Sequence, residues 1–170
     1  MLRINDVYQY QDLSIRILKI LSEHIVWIDI NDVKALPEII SKTELFHAIE
    51  SFEVFRIEDP FQEIALIQPE KDSTSQRKRD QNYNLIKAIV DHEQFYIPSI
   101  RSSLINEIIN NKKSTKQTIY RLLRQYWQRG QTPNALIPNY QNSGAKGSKK
   151  VARQKLGRKR LYKEGTGAII

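Results

Sequence analysis

A chain of 170 residues, 40% hydrophobic and 27% charged, has room for one ordinary domain or two small ones. The absence of cysteine excludes disulfides and thiolate metal sites and suits a reducing cytoplasm, and no signal-peptide core or membrane-length apolar run occurs, so a cytoplasmic protein without a membrane partner is expected. The net charge of +8 is split: residues 1–70 carry 6 Lys/Arg against 13 Asp/Glu (−7), residues 71–130 carry 12 against 5 (+7), and residues 131–170 carry 9 against 1 (+8), which confines any nucleic-acid footprint to residues 71–170.

Residues 1–69 read as a small, acidic, mainly β unit with one helix. Val7 to Tyr10, Ser14 to Leu21 and Ile25 to Ile30 are β-branched and aromatic runs of strand length. The alternation through Ile15, Ile17 and Leu18 is imperfect, which leaves their register open. Lys42 to Phe52 reads as a helix with Leu45, Phe46, Ile49 and Phe52 on one face. Val54 to Ile57 and Ile64 to Ile67 are expected to return as strands and complete a barrel or sheet. The carboxylates Asp12, Glu23, Asp29, Asp32, Glu58 and Asp59 lie in or near turns and read as solvating charge, not as general acids. His24, His47 and His92 are isolated, without zinc-ligand spacing, and neither a phosphate-cradling Gly loop nor a nucleophile elbow occurs. No catalytic residue, metal or cofactor is therefore assigned to the chain. An acidic module beside a basic one avoids DNA and offers a surface to a protein partner.

Glu70 to Arg79 is a polar junction and the expected domain boundary. Ser73 or Ser75 is placed to cap a helix running to about His92, with Tyr83, Leu85, Ile86, Ile89 and Val90 on its apolar side. Three cations at the start of that helix, Arg77, Lys78 and Arg79, oppose its macrodipole, a small cost that contact with backbone phosphates would explain. Phe95, Tyr96 and Ile97 read as packing residues that staple this helix to the next.

Pro98 to Asn110 is a short amphipathic helix with Ile100, Leu104, Ile105, Ile108 and Ile109 inward. After a tight polar turn, Asn111, Lys112 and Lys113, comes the segment Ser114 to Gly130. Ile119, Leu122, Leu123, Tyr126 and Trp127 fall on one stripe of a 3.6-residue period. Ser114 and Gln117 fit a capping box, and Gly130 after Arg124 and Arg129 is the stop signal. The outward face, Lys116, Gln117, Tyr120, Arg121, Arg124 and Gln128, has no acid anywhere between Ser114 and Gly130. Cations for phosphates and Gln or Arg for base edges are what a duplex requires. Two short helices across a tight turn, the second basic outside, read as a helix-turn-helix with a recognition helix. Its N-terminal half supplies the expected base-edge contacts, Lys116, Gln117, Tyr120 and Arg121. The expected backbone contacts are Arg77, Lys78, Arg79, Lys112, Lys113, Arg124 and Arg129.

Beyond Gly130 regular structure fades. Gln131 to Tyr140 holds two prolines and an apolar patch, Ala135, Leu136 and Ile137, able to tack onto the helices. Lys146, Lys149, Lys150, Arg153, Lys155, Arg158, Lys159, Arg160 and Lys163 then follow without an intervening acid. A run of this kind suits a backbone or minor-groove arm, with Lys146 to Arg160 as its contacts.

From Thr115 onward the chain resembles the N-terminal region of the TnsB-type transposases, the DDE (integrase-like) subunits of heteromeric cut-and-paste bacterial transposons. The resemblance is carried by YRLLRQYWQRGQTPNALIPNYQNSG, a long ungapped stretch, and extends more weakly through INDV, RIL, VWIDI, RIEDPF and SQRKRDQNY. It implies a target at the repeated sites of transposon ends, and the charge split makes other transposition subunits the expected partners of residues 1–69. It also implies that an RNase H-like catalytic domain, using Mg2+, would follow in the intact protein. No DDE triad is assignable within these residues, so an end-binding, nucleoid-associated fragment is expected and not a working enzyme. The expected fold class is α+β: a mainly-β unit over residues 1–69, a three-helix helix-turn-helix domain over 70–130, and a basic extended arm over 131–170. A helix-turn-helix transcriptional regulator and a protein-interaction fragment of the transposition machinery are the alternatives.

Overall fold

The computed structural model describes residues 2–111 and 113–138. Five strands, β1 (Val7–Tyr10), β2 (Leu13–Ile20), β3 (His24–Asp29), β4 (Glu38–Ser41) and β5 (Val54–Ile57), form one antiparallel sheet in the order β4-β3-β2-β1-β5. The β1–β2 hairpin turns on Gln11 and Asp12, with Gln11 at φ 50°. The expected first three strands are present within a residue or so at each end. The imperfect alternation in β2 has a physical cause: its register against β3 shifts between Ile17 and Lys19. Ordinary alternation sends Ile15 and Ile17 to one face and Leu18 to the other, and the bulge then reverses the parity, so that Ile20 joins the face of Ile17 and Leu21 that of Leu18.

Each face therefore has its own core. On one face Tyr8, Ile15, Ile17, Ile25 and Val54 close over Leu45 of α1 (Lys42–Glu50). Helix α1 follows β4 directly, and the Glu44 side chain accepts a hydrogen bond from the Ser41 N–H at 3.3 Å, a capping-box contact. On the other face Leu18, Val26 and Ile28 join the helical core.

Two expectations for this unit are corrected, and one strand was not foreseen. Ile64 to Ile67 is not a strand; Ile64, Ala65 and Leu66 lie in a short helix, α2 (Gln62–Leu66). Asp59 Oδ1 accepts the Phe61 N–H at 2.9 Å, which turns the chain after Pro60, and Glu63, Ala65 and Leu66 are good helix formers. Phe52 is not on the apolar face of α1: the helix ends at Glu50, and Phe52 sits at φ 61° with 87% of its surface exposed. Strand β4 was not anticipated; four residues running straight into a helix leave too little alternation to detect.

Three longer helices follow. In α3 (Thr74–Val90) the N-cap is Ser73, whose Oγ accepts the Gln76 N–H at 3.1 Å. Helix α4 (Pro98–Asn110) begins with proline in its first turn, where its missing N–H costs nothing. Helix α5 (Lys116–Gln128) is capped by Thr115, one residue later than the expected Ser114; Thr115 Oγ1 accepts the Thr118 N–H at 3.3 Å. It ends in a Schellman arrangement, with Gly130 at φ 101° and the Gln131 N–H donating to Tyr126 O at 2.9 Å. Ile86, Ile89, Phe95, Ile105, Ile119, Leu122, Leu123 and Trp127 fill the space between these helices, and Phe95 stacks on Trp127 at 5.5 Å between centroids.

The apolar patch after Gln131 tacks onto the helices as expected, through a 3-10 turn, Pro133–Leu136, that packs on α3 and α5 and buries Ala135 and Leu136. The remainder of the expected arm, 139–170, lies outside the described residues. The class is α+β, a mainly-β sheet followed by helices. Among the described residues no helix is long and apolar enough to cross a membrane, and no cluster of three His, Cys, Asp or Glu could hold a metal ion.

Candidate nucleic-acid interface

The two ends of α5 meet different surroundings. The stripe expected to face inward does so: Ile119, Leu122, Leu123, Tyr126 and Trp127 are all buried. At the N-terminal end Lys116, Gln117 and Arg121 are exposed, as is Lys113 just before the helix. Tyr120 is half-buried, with the Arg124 guanidinium 5.4 Å from its ring centroid. These cations surround the positive end of the helix macrodipole, an arrangement that favours an anion. The first two turns of α5 thus present Lys, Gln, Tyr and Arg without a carboxylate. Lys112 lies outside the described residues.

The C-terminal half is held from below. Arg124 Nε donates to Ala35 O at 3.2 Å, in the loop between β3 and β4. Gln128 Nε2 donates to Asp29 O at 2.9 Å and to Asp32 O at 2.7 Å. The Gln128 carbonyl in turn accepts from Arg16 Nε at 3.0 Å. Arg16 is fully buried in β2 and grips Asp59 with both ends of its fork, Nη1 to Oδ2 at 2.8 Å and Nη2 to Oδ1 at 2.6 Å. Its Nη1 also donates to Asn5 O at 3.0 Å. Gln131 Nε2 completes the seam, donating to Asn5 Oδ1 at 3.0 Å and to Leu18 O at 3.2 Å.

Electrostatics follow this geometry. Burial alone would raise the Asp59 pKa, but the Arg16 hydrogen bonds, the Phe61 N–H and the Arg16 charge together hold it below the ordinary value of 3.8. Arg129, the C-cap of α5, lies 5.8 Å from the Phe61 ring centroid, and burial lowers its pKa.

The other predicted backbone contacts divide similarly. Arg77 and Lys78 are exposed in the first turns of α3. Arg79 turns inward, with Nε 2.7 Å from Asp80 Oδ1 and Nη1 3.0 Å from Asn134 Oδ1. Asn134 Nδ2 extends the link to Ala65 O at 3.1 Å and Ile67 O at 2.8 Å, so Arg79 clasps the 3-10 turn to α3 and α2. Arg79, Arg124 and Arg129, all expected as phosphate contacts, are thus engaged within the protein. The arm residues Lys146, Lys149, Lys150, Arg153, Lys155, Arg158, Lys159 and Arg160 lie outside the described residues.

Sequence reading missed Arg16, Asp59, Gln128 and Gln131 as the residues that hold α5. One signal was present: a charge inside the apolar run Ser14 to Leu18 must find a partner when buried.

Comparison with known proteins places two domain matches on the chain. The TnsB N-terminal SH3-like domain matches residues 1–60, and the TnsB second domain matches residues 79–140. The chain is also similar to the transposon Tn7 transposition protein TnsB of Escherichia coli, at 39% identity over 172 residues, covering 100% of the chain. It spans 24% of the length of that relative.

Proposed function

The chain belongs to the TnsB family, and from that premise we propose that it binds transposon-end DNA in a sequence-specific manner in support of transposition. Helices α4 and α5 act as a helix-turn-helix, with α3 packed across them and the N-terminal half of α5 in the major groove. Lys116, Gln117, Tyr120 and Arg121 reach base edges, while Lys113, Arg77 and Lys78 take phosphates. Arg79, Arg124 and Arg129 reach phosphates only by giving up internal contacts, so their share is smaller. The basic residues from Lys146 to Arg160 supply an arm for the adjacent minor groove. The observation that carries this reading is the exposed, acid-free N-terminal half of α5 on a helix whose other half is locked to the sheet.

Residues 1–69 and 70–130 divide the work. The first, with a net charge of −6 from 6 Lys/Arg and 12 Asp/Glu, faces away from phosphate and docks other transposition subunits; the second reads DNA. The chemistry of strand transfer, and its Mg2+, belong to a catalytic domain other than these two. Binding of bacterial transposon ends places the protein in the cytoplasm, on the nucleoid.

Anisotropy titrations with a labelled transposon-end duplex and a scrambled duplex test the proposal. Specific binding gives an affinity for the end at least about 10^3-fold above the scrambled duplex at physiological salt. Equal affinities, with the same steep salt dependence, would reduce the interaction to charge alone.

A further inference from the structure

The sheet unit carries a net negative charge, yet four hydrogen bonds join it to the candidate recognition helix. Three carbonyls of the β3–β4 region, those of Asp29, Asp32 and Ala35, accept from Gln128 and Arg124 of α5. Arg16 supplies the remaining bond at the helix end, donating to a carbonyl that the helix itself leaves without a partner. A cation placed there also complements the negative end of the macrodipole.

An ion pair whose arginine is fully buried adds little net stability, because desolvation of the guanidinium cancels much of the attraction; what its fork geometry supplies is direction. Arg16 has 0% exposure and satisfies Asp59, Asn5 and Gln128 at once, so it fixes three segments relative to one another. Direction matters at the far end of α5. Its 13 residues put Lys116 roughly 18 Å from Gln128, so a tilt of about 5° pivoted at Gln128 displaces Lys116 by roughly 1.5 Å. Hydrogen-bonded recognition tolerates only about 0.5 Å of misplacement.

We propose that Arg16, with Asp59 and Gln128, is a positioning residue for DNA recognition: the acidic sheet unit sets the pose of α5 and thereby the specificity, without touching DNA. This rests on the reading of α5 as the recognition helix. Loss of Arg16 then removes discrimination between sequences while leaving attraction to phosphates intact.

The test uses the full chain and its Arg16→Met and Gln128→Ala variants. Gln128→Ala leaves the Arg16–Asp59 ion pair in place and keeps the test open where Arg16→Met does not fold. Thermal melts without DNA define a temperature at which the chain and each scored variant are folded. Affinities for the transposon-end and scrambled duplexes are then measured there at two salt concentrations. The expected result is a fall of about 5- to 150-fold in the end-to-scrambled ratio, the worth of one lost base contact, with the scrambled affinity and its salt slope unchanged. A folded variant that keeps the ratio overturns the inference, and so does one that loses affinity for both duplexes equally. Wild-type protein that itself fails to discriminate would instead remove the DNA-reading role of α5, and this inference with it.

Discussion

Arg121 and Arg124 lie one turn apart on α5 and look interchangeable on a helical wheel, but the structure assigns them opposite consequences. Arg121 is exposed and makes no hydrogen bond or ion pair among the described residues. Arg124 is half-buried, donates to Ala35 O at 3.2 Å and covers the Tyr120 ring at 5.4 Å. Truncating Arg124 to Ala removes a hydrogen bond worth about 1 kcal/mol and a cation–π contact worth about 0.5–1 kcal/mol. The loss of about 1.5–2 kcal/mol lowers the melting midpoint by roughly 5–7 °C for a body of this size. Under the proposed function, Arg121→Ala is expected to leave stability within about 0.5 kcal/mol and to cost about 1–3 kcal/mol of binding to the transposon end. Circular-dichroism melts without DNA, beside anisotropy titrations on end and scrambled duplexes, separate the two. An Arg124→Ala protein with an unchanged melt, weaker binding to both duplexes and a salt slope lower by about one unit would refute this reasoning. Arg124 would then be a phosphate contact and its bond to Ala35 incidental.

Other expectations follow from the two cores and the seam. Trp127→Ala removes a fully buried ring stacked on Phe95 and is expected to cost about 3–5 kcal/mol, read as a lower urea midpoint; a loss below about 1 kcal/mol would show that the site is not packed as described. Asp59 has a lowered pKa in the folded chain, so its contribution to stability is present above the ordinary value of 3.8 and is lost as pH falls through the folded value. The wild-type melting midpoint should therefore drop below about pH 4 more steeply than that of Asp59→Asn; parallel curves would mean the pair with Arg16 contributes nothing. Burial first, then the neighbouring Tyr83 and Asp91, push the Tyr126 pKa up to about 12. Its contribution is complete below the ordinary value of 10 and lost as pH rises from there to about 12, so Tyr126→Phe should flatten the alkaline fall in stability.

The inward stripe of α5 was legible because one helix carries its own period: Ile119, Leu122, Leu123, Tyr126 and Trp127 are apolar at the right spacing, and all are buried. The strands of residues 7–30 were legible from composition, as β-branched and aromatic runs of strand length. What escaped were contacts between segments far apart in the chain. Nothing within α5 says that Arg124 and Gln128 face a loop some 90 residues earlier, since a polar residue beside the stripe looks the same over water or over a carbonyl. Arg79 was read as a free cation for an equivalent reason, its partner Asn134 lying 55 residues away. The bulge in β2 showed only as broken alternation, and β4 was too short and too close to α1 to show at all. Exposure at Lys116, Gln117 and Arg121 was expected from the absence of apolar neighbours on that face, and the fold leaves all three accessible.

Methylation interference on the transposon-end duplex tests the central claim most directly, because guanine N7 lies in the major groove and adenine N3 in the minor groove. Interference is expected at guanine N7 over one short major-groove stretch, weakened by Arg121→Ala at one position and lost on the scrambled duplex. Binding of equal strength to both duplexes, with no methylated position selected against, would contradict it and leave α5 as a basic surface helix.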